Sequence, residues 1–426
     1  MKNWGRNLDF APKEVIAAQS TDHVQHVVQS AAKAGRRVKA IGSGHSFSPI
    51  GVPDDIWLTM KDMDAVLDVD YESNRVHVQS GIVLHDLNRQ LLNLGLALPN
   101  LGDIDQQTIS GAVSTSTHGT GANKFGIGKA VVGVKIVTAN GELLQIDENH
   151  PYFQAARVSL GALGVVTEVT LQCVPAFLLH AAEEPMLLSQ VTNSLDSLIN
   201  ENDHFEFYWW PHTEYTTVKR NNLSNGPILP LGKIKSWIDD EFAANGLFEL
   251  MARAGNIRRS WVPKINRIAG KTLSAREYTD HSFKVFISPR RVHFCEMEYA
   301  LPRETALSAI EELHSMISSQ EETIGFPVEV RFTAADDVWM STSYGRDSVY
   351  IAIHMYHRQD HKKYFSAAEK IFQSHGGRPH WGKMNYANAE YLSGVYPKFA
   401  EFVKVRNELD PDRMFSNDYL ERVLGK

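Results

Sequence analysis

The sequence is poor in several features, and each shortage excludes a class of protein. Only two of its 426 residues are cysteine, Cys173 and Cys295. Two are too few for a disulfide framework or a cysteine-based zinc site, and they fit a reducing, cytoplasmic compartment. No run of about 20 apolar residues could span a bilayer, and the opening MKNWGRNLDF has no apolar signal core. No polybasic block marks a nucleic-acid or lipid surface: 43 Lys and Arg stand against 50 Asp and Glu, a net charge of −7. Nucleic acid is not an expected partner, and no metal-ligand cluster stands out. Neither GxGxxG nor GxxxxGK[ST] occurs, which sets aside Rossmann and P-loop nucleotide sites. Internal repeats and low-complexity linkers are absent as well.

What remains is an ordinary globular composition, 43% hydrophobic and 22% charged with 29 Gly and 17 Pro. At about 150 residues per domain, the length predicts two or three domains. Residues 1–175 alternate strands and helices. A strand over 14–19 leads to a helix capped by Ser20 or Thr21, with Val24, Val27, Val28 and Ala31 on one face and Gly35 as its C-cap. A strand follows at 37–42. Residues 66–70 and 75–80 read as an antiparallel pair, 132–139 and 142–147 as a hairpin about Asn140-Gly141, and 163–175 as one long strand. Residues 176–394 have another texture, with aromatic strands at 204–211, 292–302, 327–333 and 348–357. These predict a second, antiparallel sheet with helices on one face. The helical stretch at 233–270 mixes Lys and Arg with apolar residues. A solvated helix face is the preferred reading, and membrane-surface or partner contact the alternative. Residues 395–426 end in a helix with Phe399, Phe402, Val403 and Leu409 on one side, stopping before Pro411.

Three loops beside strands concentrate glycine and hydroxyl residues: GSGHSFSP (42–49), QQTISGAVSTSTHGTGANKFGIG (106–128) and SLGALGVV (159–166). Such loops let backbone N–H groups surround an anionic oxygen, as in pyrophosphate cradles. One alone would read as a tight turn. Three in one α+β region point to a large phosphate-bearing ligand.

The blocks VKAIGSGHSFSPI, LPNLGDIDQQTISGAVSTSTHGTG, VSLGALGVVTEVTLQ, VEVRFTAADDVW and RPHWGK, in that order, resemble the aldonolactone oxidoreductases of the vanillyl-alcohol-oxidase flavoprotein superfamily. The likeness is nearest the bacterial L-gulono-1,4-lactone and D-arabinono-1,4-lactone oxidases or dehydrogenases, with alditol oxidases as cousins. It runs from Trp4 to LDPDRMFSNDYL. The resemblance implies an α+β fold: a two-subdomain, PCMH-type FAD-binding domain over 1–175, a cap domain over 176–394, and a C-terminal segment over 395–426 that returns to the FAD domain. The implied cofactor is FAD, the implied substrate a sugar lactone oxidised beside a hydroxyl, and the implied electron acceptor dioxygen or a redox carrier. An alditol oxidase and a non-catalytic FAD electron-transfer protein are the alternatives. Peripheral membrane association stays open through the acceptor.

The resemblance also implies residue roles. His45 follows Gly42, Ser43 and Gly44 and precedes Ser46. It matches a histidine that many relatives join to the flavin 8-methyl carbon; a bond and a plain contact both stay open. Ser110, Gly111, Thr115, Thr117, His118 and Gly119 match a stretch running along the FAD diphosphate and up to the ring, with Ser114 and Ser116 alternating and facing away. His118 reads as a cofactor-binding loop residue or as a base. Gly161, Gly164 and Val165 match the adenine or ribose side. Glu329 and Arg331 are two apart on a strand and share a face. Alone they would read as a salt bridge; the resemblance places them in the substrate pocket. His354, which shares a strand face with Tyr350, Ala352 and Tyr356, joins them, and Lys383 matches a lysine near the flavin pyrimidine. Asp103 stands where alditol oxidases carry a serine near the substrate, which favours the lactone branch.

Overall fold

The computed structural model describes residues 1–232, 245–319 and 323–426. Helix Thr21–Ala34 opens with Ser20 Oγ accepting the His23 N–H at 3.1 Å and closes on Gly35 at φ +60°. Its Val24, Val27, Val28 and Ala31 stripe is buried. That stripe packs on a parallel three-stranded sheet ordered Glu14–Ala17, Ile56–Thr59, Val38–Ile41. A second, antiparallel sheet runs Val66–Asp70, Arg75–Gln79, Val165–Gln172, Val131–Val137, Leu143–Asp147. Its last hairpin turns at Gly141, φ +81°, a region glycine enters at no steric cost.

Two local expectations are corrected. The long strand over 163–175 is two strands. Val165–Gln172 ends where the Cys173 N–H donates to the Asn74 carbonyl at 2.9 Å, and Val174–Pro175 pairs with Leu96–Ala97 instead. Pro175 has no N–H with which to extend the central ladder. Residues Ile109–Ser114 form a short helix, so Ser114 and Ser116 do not alternate with their neighbours. Ser114 lines the same cleft as Thr115, and Ser116 turns at φ +61°.

The third sheet has eight strands, ordered Arg276–His281, Leu178–Leu187, Tyr215–Ser224, His204–Trp209, Val328–Thr333, Ser348–Tyr356, Phe294–Pro302, Arg378–Pro379. Period-two alternation gives it two unlike faces. Phe205, Phe207, Trp209, Val330, Phe332, Ile351 and Met297 pack against helices Ala306–Ser319 and Lys362–Ser374 in one core. A fully buried side chain of this size stabilises by about 1.5–3 kcal/mol, so this face holds the sheet in place. The other face carries Glu206, Tyr208, Glu296, Glu298, Glu329, Arg331 and His354. Of the helical stretch expected at 233–270, Phe248–Ile257 and Val262–Lys271 are helices, and 233–244 lie outside the described residues.

Helix Phe399–Leu409 buries Phe399, Phe402, Val405 and Leu409, while Val403 is only half-buried. With Ala389–Val395 and Asp418–Leu424 it packs on Ile50, Ala155, Val158, Leu160 and Leu163. The Asn417 amide donates to the Pro49, Ile50 and Val52 carbonyls, fixing the chain end against the 42–49 loop.

Candidate active site

The first glycine-rich loop leaves strand Val38–Ile41 and forms one wall of a cleft of about 1010 Å³. Gly42, Ser43, Gly44, His45 and Ser46 line it together with Ser110, Gly111, Thr115, Gly161 and Gly164. The loop needs its glycines: a Cβ on Gly42 would overlap Thr108 Oγ1, and Gly44 sits at φ +71°. Four residues expected along the cofactor do not line this cleft. Thr117 and His118 line a second cavity, and Gly119 lines neither, pressed against the Leu101 carbonyl. Val165 likewise lines neither; it points into the core with Val137, Met414 and Phe415. A strand alternates its sides, so Gly164 can meet the cleft only if Val165 turns away.

The cleft wall is almost free of charge. Its exception is Lys39, buried at 3% exposure, whose Nζ donates to the carbonyls of Phe415 at 2.8 Å and Gly161 at 3.2 Å. Burial pushes this amine down to about 7. The His45 ring lies on Trp4, with centroids 5.8 Å apart and planes inclined by 23°. Its Nδ1 is buried without a hydrogen-bond partner. Burial first, and then the Lys383 charge, lower its pKa to about 4, so the ring is neutral at pH 7. A long backbone-lined cleft with the orphaned ring nitrogen of a neutral histidine at its wall fits FAD. Gly42–Ser46, Ser110, Gly111, Thr115, Gly161 and Gly164 would hold it.

The second cavity, about 510 Å³, shares Gln107 with the first and is closed by the charged face of the eight-stranded sheet. Glu329, Arg331, His354 and Lys383 all meet there. Arg331 pairs with Glu329, with Glu206 at 3.0 Å and with Asp103 at 3.3 Å. Arg290 pairs with Asp103, and Lys219 holds Glu206 at 2.8 Å. The Lys383 ammonium bonds Glu296 at 2.5 Å and lies 5.2 Å from the Phe47 ring, two residues from His45. Burial opposes the charge on Asp103, yet the two guanidiniums hold it well below the carboxylate range. Glu329 differs: burial, only partly offset by Arg331, raises its pKa. Against burial, Glu296 and Glu298 raise Lys383, so it stays cationic.

Three buried histidines sit in this layer, and their hydrogen bonds assign the ring protons. His118 Nδ1 and His354 Nδ1 face the Gly119 and Pro327 carbonyls, each at 2.9 Å, so both must donate and the other nitrogen turns inward. His118 Nε2 is 3.4 Å from Glu298, and His354 Nε2 is 3.6 Å from Glu296. His380 Nδ1 accepts the Gly382 N–H at 3.0 Å. His118, Glu298 and His380 bring ligand-type atoms within 4.8 Å of one another. Because His380 Nδ1 is an acceptor, its proton sits on Nε2. Glu206, Tyr208, Arg290, Glu296, Glu298 and His380 belong to this site beyond Asp103 and the four residues expected in it.

Comparison with known proteins decides the family. Residues 169–423 match the D-arabinono-1,4-lactone oxidase family, and residues 12–147 match a family described as an FAD binding domain. The chain belongs to the D-arabinono-1,4-lactone oxidase family. It is an FAD-linked oxidoreductase. The L-gulono-1,4-lactone dehydrogenase of Mycobacterium tuberculosis is 41% identical over 99% of this chain and 98% of that protein. The Bos taurus L-gulonolactone oxidase is 36% identical over 99% and 97%, and a Streptomyces alditol oxidase 29% over 99% and 98%. Among solved structures, cholesterol oxidase from B. sterolicum superposes with a TM-score of 0.83 over 99% of this chain and 96% of that one. At 16% identity it speaks for the fold alone.

Proposed function

We propose that this family member oxidises a sugar-acid 1,4-lactone of the L-gulono or D-arabinono type, at a carbon bearing a hydroxyl, to a 2-keto lactone that tautomerises to an ascorbate-like enediol. The observation that carries the reading is the Arg331–Glu329 pair, buried on a sheet face that closes directly over the end of the cofactor cleft. The names of the relatives at 41% and 36% identity supply the substrate class. Bound FAD supplies a two-electron acceptor for the C–H electrons.

The chain's own groups do the rest. Arg331 is held by three carboxylates and stays charged, so it donates to the reacting oxygen and stabilises negative charge there as the C–H bond breaks. Glu329, the carboxylate with the raised pKa, takes the hydroxyl proton on a carboxyl oxygen. The Tyr208 hydroxyl, 3.0 Å away, orients it. His354, 4.0 Å from Glu329, flanks the same oxygens. Lys383 sets a fixed positive charge on the wall nearest His45 and binds the cofactor more tightly once it has gained electrons. His45 Nδ1, neutral and unpartnered, is the atom for a covalent bond to the flavin. Yellow fluorescence that stays with acid-precipitated protein and is released in His45→Ala supports the bond; free flavin from the unaltered chain refutes it.

A substrate panel tests the function. Gulono-, galactono- and arabinono-1,4-lactones should reduce the flavin, and open-chain polyols should not. Reduction by xylitol or sorbitol in preference to every lactone assigns the alditol reaction instead.

A further inference from the structure

Given the lactone reading above, on which this rests, we propose that Arg290 is the residue that selects a lactone over a polyol. It donates an N–H to the ester carbonyl oxygen, on the carbon next to the one oxidised. Arg290 stands on the loop between helix Ser282–Phe286 and strand Phe294–Pro302. That loop is stitched down on both sides. The Ser288 N–H donates to the Asp103 carbonyl at 3.0 Å, the Asn245 side-chain amide donates to the Pro289 carbonyl at 3.1 Å, and the Arg291 N–H donates to Asn245 Oδ1 at 2.8 Å. A side chain carried on a fixed backbone loses less freedom when it binds a ligand. Arg290 is 25% exposed and lines the charged cavity. Its Nη2 is spent on Asp103 Oδ2, and Glu329 lies 3.9 Å from the same nitrogen. Its Nε and Nη1 have no hydrogen-bond partner among the described residues, so they are open to a ligand.

Hydrogen-bond chemistry gives the role to this arginine. The hydroxyls of a sugar lactone both donate and accept, whereas its ester carbonyl only accepts. Asp103, Glu296, Glu298 and Glu329 face the cavity, and ionised carboxylates accept only. An ester oxygen turned to any of them would be buried without a partner, so it must meet Arg290, Arg331 or Lys383. Arg331 turns Nε and Nη2 to Glu206, Asp103 and Glu329, which leaves Nη1 for the reacting oxygen. Lys383 is held by Glu296 beside the Phe47 ring, toward the cofactor. Arg290 is the neighbour of Arg331: both guanidiniums converge on one atom, Asp103 Oδ2, which Arg331 reaches at 3.3 Å. Two cations gathered on one oxygen suit a ligand with oxygens on adjacent carbons. The carbonyl and the reacting hydroxyl of a 2-hydroxy lactone are such a pair, and oxidation turns both into acceptors. A polyol offers a second hydroxyl in place of the carbonyl, and its extra proton must find a carboxylate that is already paired.

The test uses the FAD-loaded full chain and stopped-flow reduction of its flavin by L-gulono-1,4-lactone. The competing ligand is 1,4-anhydro-L-gulitol, the same ring with CH2 in place of the carbonyl. Arg290→Met should raise the half-saturating lactone concentration about 10- to 100-fold, the loss expected for one hydrogen bond to a charged group. The carbonyl is bound alike before and during C–H cleavage, so the limiting reduction rate should change by less than about threefold. The inhibition constant of the anhydro sugar should also stay within about threefold, since it has no carbonyl to lose. Arg290→Lys keeps a cation on Asp103 and should recover part of the lactone affinity; it carries the same comparison if the methionine variant does not fold. Equal losses for lactone and anhydro sugar would make Arg290 a brace for Asp103 alone and overturn the proposal. An unchanged half-saturating lactone concentration would overturn it too. The lactone reading itself fails separately, when every lactone leaves the flavin of the unaltered chain oxidised, and the proposal then falls with it.

Discussion

The two cavities that meet at Gln107 are built on opposite principles. The cofactor cleft is walled by backbone, small hydroxyl side chains and glycines, with Lys39 as its one buried charge. The substrate cavity is walled by charge: Asp103, Glu296, Glu298 and Glu329 interleave with Arg290, Arg331 and Lys383, and the buried Glu206–Lys219 pair stands behind Arg331. Backbone can hug a long anionic cofactor but cannot be tuned. Side-chain charge can be tuned, at the cost of desolvation that only close pairing offsets. The cleft therefore tolerates changes of charge and not of volume, and the cavity the reverse.

The largest effect is expected where the cavity loses its central cation. Arg331→Ala should slow flavin reduction by substrate about 100-fold or more in stopped flow, as loss of an oxyanion donor does. FAD should remain bound, since none of its proposed holders changes. Normal reduction in a merely unstable variant would return the pair to a structural role. Next is the cleft's volume. Gly42→Val adds atoms where Thr108 Oγ1 already sits. Overpacking of about 1–3 kcal/mol should weaken FAD binding roughly 5- to 150-fold by titration, with little change in reduction rate once loaded. Lys383→Met should lower the flavin midpoint potential by tens of millivolts, ~30 mV corresponding to ~1.4 kcal/mol for two electrons, and Lys383→Arg should restore part of it.

The smallest effect is on stability. Burial lowers His45 and His204 to about 4 and His380 to about 3, from an unfolded value of about 6.5. Between these limits the unfolded chain binds more protons, so stability is full above about pH 6.5 and falls as the pH drops toward 4. The urea midpoint should fall over that window. His380→Gln should flatten the upper part of the fall, while the carboxylates Glu206 and Glu296, held near 2, add to it only below about pH 5, where their unfolded forms take up protons.

The sequence made the cleft more legible than the cavity. A glycine-rich loop is contiguous, so Gly42–Ser46 announces itself, and a strand pair such as Glu329 and Arg331 is visible from period two. The same argument applies to Glu296 and Glu298 in FCEMEY and to Glu206 and Tyr208 in FEFYWW, where charged or hydroxyl residues two apart interrupt apolar strands; there the signal was present. Nothing local marks Arg290, which stands on a loop 187 residues from the Asp103 it pairs with. His118 is legible only in part, for a related reason. It belongs to the cofactor-loop motif, but the turn at Ser116 swings its side chain across to Glu298 and the Tyr350 ring. The strands Leu178–Leu187, Tyr215–Ser224 and Arg276–His281 also lacked a pattern, because polar residues occupy both of their faces.

A charged cavity over a backbone-walled FAD cleft should oxidise a sugar lactone. Anaerobic mixing of the purified, flavin-loaded chain with L-gulono-1,4-lactone tests it most directly, read as loss of the oxidised-flavin absorbance band. The lactone should bleach the band fully, and at least 100-fold more slowly in Arg331→Ala. A flavin that every aldonolactone leaves oxidised, or that bleaches equally fast without Arg331, would contradict it.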